Sequence, residues 1–253
     1  MPYGMTVKKI KHNYSEWLQA SVPVRRDEYR KLAETFNPSD FCADDWIREA
    51  SNAGMRYFLI TTKHHDVFCL WPTKVSDYNV MDATPFKRDI LEELASACKK
   101  YNVKLGFYYS HWMDWDGSGG DVFYPSDSLT QNEKVNETYN HPPQEEFEKY
   151  WQGKCLPQVQ ELIENYNPSF FWFDSWNEFA SDYITPERQD ELIEHIRKHD
   201  PTCLINSRIN FTDPSDKCDY LSMMDNCYPD TTFDKPWETS GTLNHSWAYH
   251  KLD

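Results

Sequence analysis

Glycine is scarce in this chain, eight in 253 residues, and none stands in a G-x-G-x-x-G or G-x-S-x-G pattern. The first absence argues against a dinucleotide phosphate loop, the second against the nucleophile elbow of a serine hydrolase. Basic residues are also few: 26 Lys and Arg stand against 41 Asp and Glu, a formal charge of −15. Nucleic-acid binding needs a cationic footprint, so that class of partner is set aside. No apolar run approaches the roughly 20 residues of a membrane-spanning helix, and residues 1–20 carry no signal-peptide core. The seven cysteines, at 42, 69, 98, 155, 203, 218 and 227, form no C-x-x-C pair. An odd, scattered set reads as reduced buried thiols rather than as a disulfide framework or zinc site.

What the chain has in quantity is aromatic residues, 16% with ten Trp. Such a surplus fills cores, and it also builds the flat walls of sugar-binding clefts. With 26% charged and 39% hydrophobic residues the composition is globular, and the length suits one domain over residues 1–253.

Periodicity alternates between two repeats. Residues 40–53 place Phe41, Trp46, Ile47 and Ala50 on a helical face, closed by Gly54, and a strand "MRYFLIT" (55–61) follows. "RDILEELASACKKYN" (88–102) spaces Leu91, Leu94, Ala95 and Cys98 for a second helix, with lysines in its last turn. "VKLGFYYS" (103–110) is the next strand. Residues 144–166 read as helix with a break or restart at Pro157. A continuous apolar strand at 169–174, a helix at 186–199 opened by "TPE", the strand "CLINS" (203–207) and a short strand "DYLSM" (219–223) complete the series. Helix–strand units of this kind imply an α/β fold with a parallel sheet. Of the two such folds, a (β/α) TIM-like barrel is favoured over a doubly wound sheet. Polar groups gather after successive strands as "TTKHH", "SHWMDW", "DSWNE" and "NSRIN", the barrel-enzyme pattern. "GSGG" (117–120) reads as a flexible connector in a long loop at 113–145.

Asp174 leads the candidates for chemistry. It leaves a greasy strand in "FFWFDSWNE" with Trp176 two positions on. It either caps the next helix or acts as one of the two carboxyl groups that glycoside cleavage requires. His64 and His65 follow the first strand; neighbours on a strand point to opposite sides, which makes a shared metal awkward, and Asp66 is placed to fix their tautomers. His195 and His199, without the Glu of H-E-x-x-H, read as surface residues near a helix C-terminus. Arg208 ends the fourth strand as the natural cation for a site carboxylate. Glu238 lies in a loop beside Trp237, whose ring would raise its pKa as an acid catalyst needs.

Together these segments resemble the catalytic barrel of the α-L-fucosidase family, glycoside hydrolase family twenty-nine. The resemblance spans about residues 14–250 and rests on "TTKHHDVFCLW", "YYS", "NPSFFWFDSWNE" and "KPWETSGTLNHSWAYH", in that order. It implies a retaining exo-α-L-fucosidase that needs no metal or cofactor and acts on terminal α-L-fucosyl groups of oligosaccharides or glycoconjugates. Residue by residue it implies Asp174 as nucleophile in W-F-D, with Trp172 of that motif on the sugar. Fucose contacts fall on His64 and His65, on Tyr108 or Tyr109 of "YYS", on Arg208, and on Glu16 and Trp17 of the "EW" pair. For the acid/base it implies Glu238 in "PWET" first and Asp225 in "SMMDN" second.

Two departures shape the expected fold. No F-x-H-W-G strand precedes Glu16, where "MPYGMTVKKIKHNY" stands, and the chain stops at Asp253 before a last barrel strand. The expectation is a barrel incomplete at both ends. An alternative from another class is an inactive fucose-binding homologue of that barrel.

Overall fold

The computed structural model describes residues 15–21, 24–124, 140–210, 217–243 and 246–248. Short helices α1 (Leu18–Ser21) and α2 (Arg26–Arg30) precede α3 (Ala43–Asn52), which leads into β1 (Tyr57–Lys63). Then come α4 (Ile90–Tyr101), β2 (Lys104–Tyr109), α5 (Gln144–Tyr150), α6 (Leu156–Tyr166) and β3 (Phe170–Phe173). The short α7 (Ala180–Tyr183), α8 (Pro186–His199), β4 (Leu204–Ile205), β5 (Leu221–Ser222) and β6 (Trp237–Glu238) follow.

The helix boundaries follow from local chemistry. The Asp89 carboxylate accepts the N–H groups of Leu91 and Glu92 and caps α4, whose far end closes on Asn102 at φ 54°. The Thr185 hydroxyl accepts from Arg188 N, and Pro186 occupies the first turn of α8, where its missing N–H leaves nothing unpaired. Between α5 and α6 the helix widens into a π-turn segment, Trp151–Cys155, just ahead of Pro157. The chain therefore neither breaks nor restarts there; the wide turn absorbs the proline.

β1 to β4 form one parallel sheet in the order β1-β2-β3-β4. Among the described residues no strand order reverses, which a doubly wound sheet would require. β5 and β6 form a second parallel pair, joined to the first sheet by a single bridge between Asn206 and Tyr220. Among the described residues the sheet is open, not a closed barrel, and β1 stands at its edge.

Strand alternation splits the sheet into two faces. Phe107, Phe171, Phe173 and Ile205 are buried on the helix side, where Phe107 meets Tyr166 of α6 edge-on at 6.0 Å. Each such ring contributes roughly 1.5–3 kcal/mol by leaving water. The other face carries Tyr57 and Leu59, both exposed, then Gly106 and Tyr108, then Phe170 and Trp172. Tyr108 and Trp172 stack there at 5.4 Å.

Four sequence expectations change. β1 runs on to Lys63, and β4 has two residues because Asn206 switches from backbone to side-chain pairing. "GSGG" is a packed turn and not a slack connector: Gly117 and Gly119 sit at φ 76° and 94°, and a Cβ on Gly119 would collide with the Glu146 carbonyl oxygen. Residues 125–139 of the loop, and residues 1–14, on which the expectation of an absent first strand falls, lie outside the described residues. Glu238 belongs to β6, not to a loop.

Gly106 is required by close approach, since a Cβ there would stand 2.0 Å from Cζ of the Phe170 ring. Gly106→Ala is expected to destabilise the fold by about 1–3 kcal/mol, read as a lower denaturant midpoint at unchanged m-value. A midpoint equal to the parent's would contradict this packing.

Candidate active site

Asp174 is the first residue beyond β3, and its backbone is fastened before its side chain does anything. The Asn206 side chain accepts from Phe173 N (2.9 Å) and donates to Phe173 O (3.0 Å), replacing the backbone ladder at the strand's end. Ser175 donates to the Arg208 carbonyl through both N–H (2.8 Å) and hydroxyl (2.7 Å). The Trp112 indole N–H donates to the Asp174 carbonyl at 2.8 Å.

The carboxylate is then fully engaged. Arg208 Nη2 donates to Oδ1 at 2.6 Å and the Tyr108 hydroxyl to Oδ2 at 2.5 Å. His65 Nε2 lies 4.0 Å from Oδ2. Burial, with the Asp174 charge beside it, pushes the Tyr108 phenol well above its ordinary pKa, so it stays a donor. Arg208 is itself buried, its guanidinium lies 4.6 Å over the Trp172 ring, and its Nη1 donates to Asp225 Oδ1 at 2.5 Å. One cation thus bridges two carboxylates.

The two histidines do not diverge as strand neighbours would. β1 ends at Lys63 and the chain turns, reaching φ 63° at Val67, so the rings of His64 and His65 converge to 4.0 Å. His64 stacks on Tyr108. Burial drives both imidazoles well below their ordinary pKa, so both are neutral. Asp66 does not orient them: it accepts from the Tyr29 hydroxyl, and the partner of His65 is Ser110. His64, His65 and Asp174 bring ligand atoms within 4.8 Å of one another. A dication there would face the Arg208 guanidinium and displace the Tyr108 donor, so the donor set suits an uncharged hydroxylated ligand better.

Of the "YYS" pair, Tyr108 reaches the site, whereas alternation sends Tyr109 to the helix side, where it donates to Gln158 of α6 at 2.8 Å. Trp17 meets His65, Trp115 and Trp176 edge-on at 5.6, 5.1 and 5.7 Å. Glu16 is buried, and the Ser246 hydroxyl donates to it at 3.3 Å. Burial raises its pKa to about 7. Glu238 accepts from Trp172 Nε1 (2.5 Å) and from the Ser222 hydroxyl (2.7 Å). Trp237 does not cover it: neighbours on β6 face opposite ways, and that ring is exposed. His195 is half-buried, with Nε2 on the Leu156 carbonyl, and His199 pairs with Glu164, so both are structural.

Sequence reasoning missed the support under the histidines. Lys63 and Lys154 flank Asp114 at 2.9 and 2.8 Å, all three buried. Burial opposes ionisation of Asp114, yet the two lysines outweigh it and hold its pKa at about 2. The next residue, Trp115, donates its N–H to the His65 carbonyl at 2.9 Å, tying this charged cluster to the site. A lysine inside a strand, followed by two histidines, was the available signal.

The family model described as Alpha-L-fucosidase matches residues 3–253. A putative alpha-L-fucosidase of Caenorhabditis elegans is 29% identical over 87% of this chain and 42% of its own length. Alpha-L-fucosidase 1 of Arabidopsis thaliana is 40% identical over 56% of this chain and 26% of its own. The solved alpha-L-fucosidase AlfC from Lactobacillus casei, in complex with alpha-L-fucose product, superposes with a TM-score of 0.81 at 32% identity. That match covers 98% of this chain and 75% of AlfC. The enzyme from Vibrio sp. strain EJY3 gives 0.78 at 34% identity, over 97% and 40%. The chain spans less than half the length of the curated animal relatives it matches. A family match over nearly every residue, on a sheet whose strand ends carry this carboxylate cluster, makes the chain a member of the alpha-L-fucosidase family.

Proposed function

We propose that residues 1–253 form a single partial TIM-like barrel domain that hydrolyses terminal α-L-fucosyl groups with retention of configuration. The observation that carries this reading is the Arg208 bridge, which holds Asp174 and Asp225 on the two nitrogens of one guanidinium. Retaining glycosidases need two carboxyl groups close together, about 5–5.5 Å apart, and a shared guanidinium keeps these two near each other. The sequential parallel strand order, with the polar groups at one end of the strands, supports the barrel. AlfC, the structural relative, holds alpha-L-fucose product, and fucosylated glycans are the substrate class that follows.

In the first step an Asp174 oxygen attacks the anomeric carbon as the glycosidic C–O bond breaks, and the leaving oxygen takes a proton from the acid. Water then attacks the fucosyl–Asp174 ester, giving its proton back to the same group and releasing fucose with the carboxylate restored. Arg208 stabilises Asp174 as it leaves the ester, and Tyr108 supplies a hydrogen bond that follows the charge. His64, His65, Trp17 and Trp172 are the walls and hydroxyl readers of the sugar site, and Glu16 adds a neutral carboxyl below pH 7.

The ion pair with Arg208 favours the second acid/base candidate over the first. Asp225 shares Arg208 with the nucleophile, whereas Glu238 holds Trp172, two residues before Asp174. The reading therefore gives Asp225 the proton transfer and Glu238 the fixing of the Trp172 ring.

Asp174→Gly is expected to lower kcat by at least about three orders of magnitude, with azide restoring cleavage of an aryl fucoside as the fucosyl azide. A variant that keeps its turnover refutes the assignment, and a folded parent that binds fucose without turnover supports the binding-only homologue instead. Asp225→Asn is expected to cost about 10²–10⁴ in kcat/KM on a fucosyl disaccharide and far less on a dinitrophenyl fucoside. The same split in Glu238→Gln, and not in Asp225→Asn, would return the role to Glu238. Glu16 has a raised pKa in the fold, so between pH 4.5 and about 7 the unfolded chain ionises first and stability falls. Glu16→Gln is expected to remove that loss, gaining about 2–4 kcal/mol relative to the parent at pH 8. Denaturation curves of both proteins at pH 4 and pH 8 read it, and a pH-independent difference would contradict the burial of this carboxyl.

A further inference from the structure

We propose that Ser110 is a positioning residue that locks His65 with its hydrogen on Nδ1, so that Nε2 meets the substrate as a hydrogen-bond acceptor. Ser110 ends the "YYS" stretch just past β2, fully buried, and its own N–H donates to the Lys63 carbonyl at 3.0 Å. Its Oγ stands 2.7 Å from the Met113 carbonyl and 2.6 Å from His65 Nδ1. A carbonyl only accepts, so the single hydroxyl hydrogen goes to Met113. Towards His65 the same oxygen must accept, and the hydrogen between them belongs to Nδ1. A tautomer is set by the bond its other nitrogen makes.

His65 has no second hydrogen to offer. It is buried, and Lys63, His111 and Arg208 surround it with charge or potential charge that opposes an imidazolium. Nε2 is therefore a bare lone pair, 4.0 Å from Asp174 Oδ2, which is itself an acceptor. Two acceptors facing each other call for a donor from outside, and a sugar hydroxyl fits. The arrangement also keeps a second N–H away from the attacking carboxylate. With the hydrogen on Nε2, His65 would point a donor at Oδ2, stabilise the resting carboxylate and lose its hold on the hydroxyl.

This deepens the fucosidase reading and rests on it for the kinetic arm of the test; the spectroscopic arm is independent. The imidazole resonances of ¹⁵N-histidine-labelled protein, with His65 assigned by its loss in His65→Gln, report which nitrogen bears hydrogen. The parent is expected to show Nδ1 protonated and Nε2 bare, and Ser110→Ala to move hydrogen to Nε2. With that shift kcat/KM on a fucoside should fall about 10–100-fold, as when a residue orienting a site histidine is lost. Ser110→Thr, which keeps the hydroxyl, should recover most of it. A parent with hydrogen on Nε2 overturns the proposal without any variant. So does a Ser110→Ala protein that loses activity with its tautomer unchanged, because the loss is then merely structural. A parent that cleaves no fucoside at all refutes the fucosidase reading, and the tautomer of His65 still decides this one.

Discussion

The buried contact between Arg208 and Asp174 is the constraint on which this site depends. An ionised carboxylate taken from water costs several kcal/mol unless it is paired and hydrogen-bonded. Here the guanidinium, a phenol and the fastened backbone around it meet that cost together. The segment that supplies the cation also supplies the fastening. Asn206 holds the residue before Asp174, and the Arg208 carbonyl holds the residue after it. Moving Arg208 would move the carboxylate's partner and its backbone support at once, so charge and position are set by the same few residues.

The two faces of the sheet divide the labour. On the helix side, phenylalanines and Ile205 make the strands rigid. On the other side, Tyr108 and Trp172 stack next to the Asp174 carboxylate, with Arg208 lying over the indole. The Lys63–Asp114–Lys154 cluster carries that rigidity out to the histidine turn. It is a buried ion group of two lysines on one carboxylate, and removing Asp114 would leave both cations without their shared partner. Lys63 belongs to β1 and Asp114 to the loop after β2, so the cluster pins two successive strand ends to each other. Neutral histidines beside buried lysines follow from the same physics, since burial and like charge both oppose the imidazolium.

Much of this was legible in the chain because it is local. The apolar run before Asp174, the "TPE" that opens α8, and polar groups after each strand all announce themselves within a few residues. The parallel alternation followed from element order alone. What escaped was set by distant partners. Nothing near Tyr109 says that it faces Gln158, beyond the alternation that separates it from Tyr108. The convergence of His64 and His65 depends on β1 ending at Lys63, one residue before the pair. Glu238 looked like a loop acid beside Trp237 because a two-residue strand leaves no periodic trace. That Arg208 reaches Asp225 and not Glu238 is a contact across 17 residues that spacing does not encode.

The central claim is that Asp174 forms a covalent bond to the sugar. The most direct measurement is inactivation with a 2-deoxy-2-fluoro fucosyl fluoride, followed by mass spectrometry of the digested protein. Fluorine at C2 slows both steps, while the fluoride leaving group keeps the first fast enough for the ester to accumulate. One fluorofucosyl adduct is expected, on the peptide containing Phe170 to Trp176, mapped to Asp174. An adduct on another carboxylate, or steady turnover to product of inverted configuration with no adduct, would contradict it.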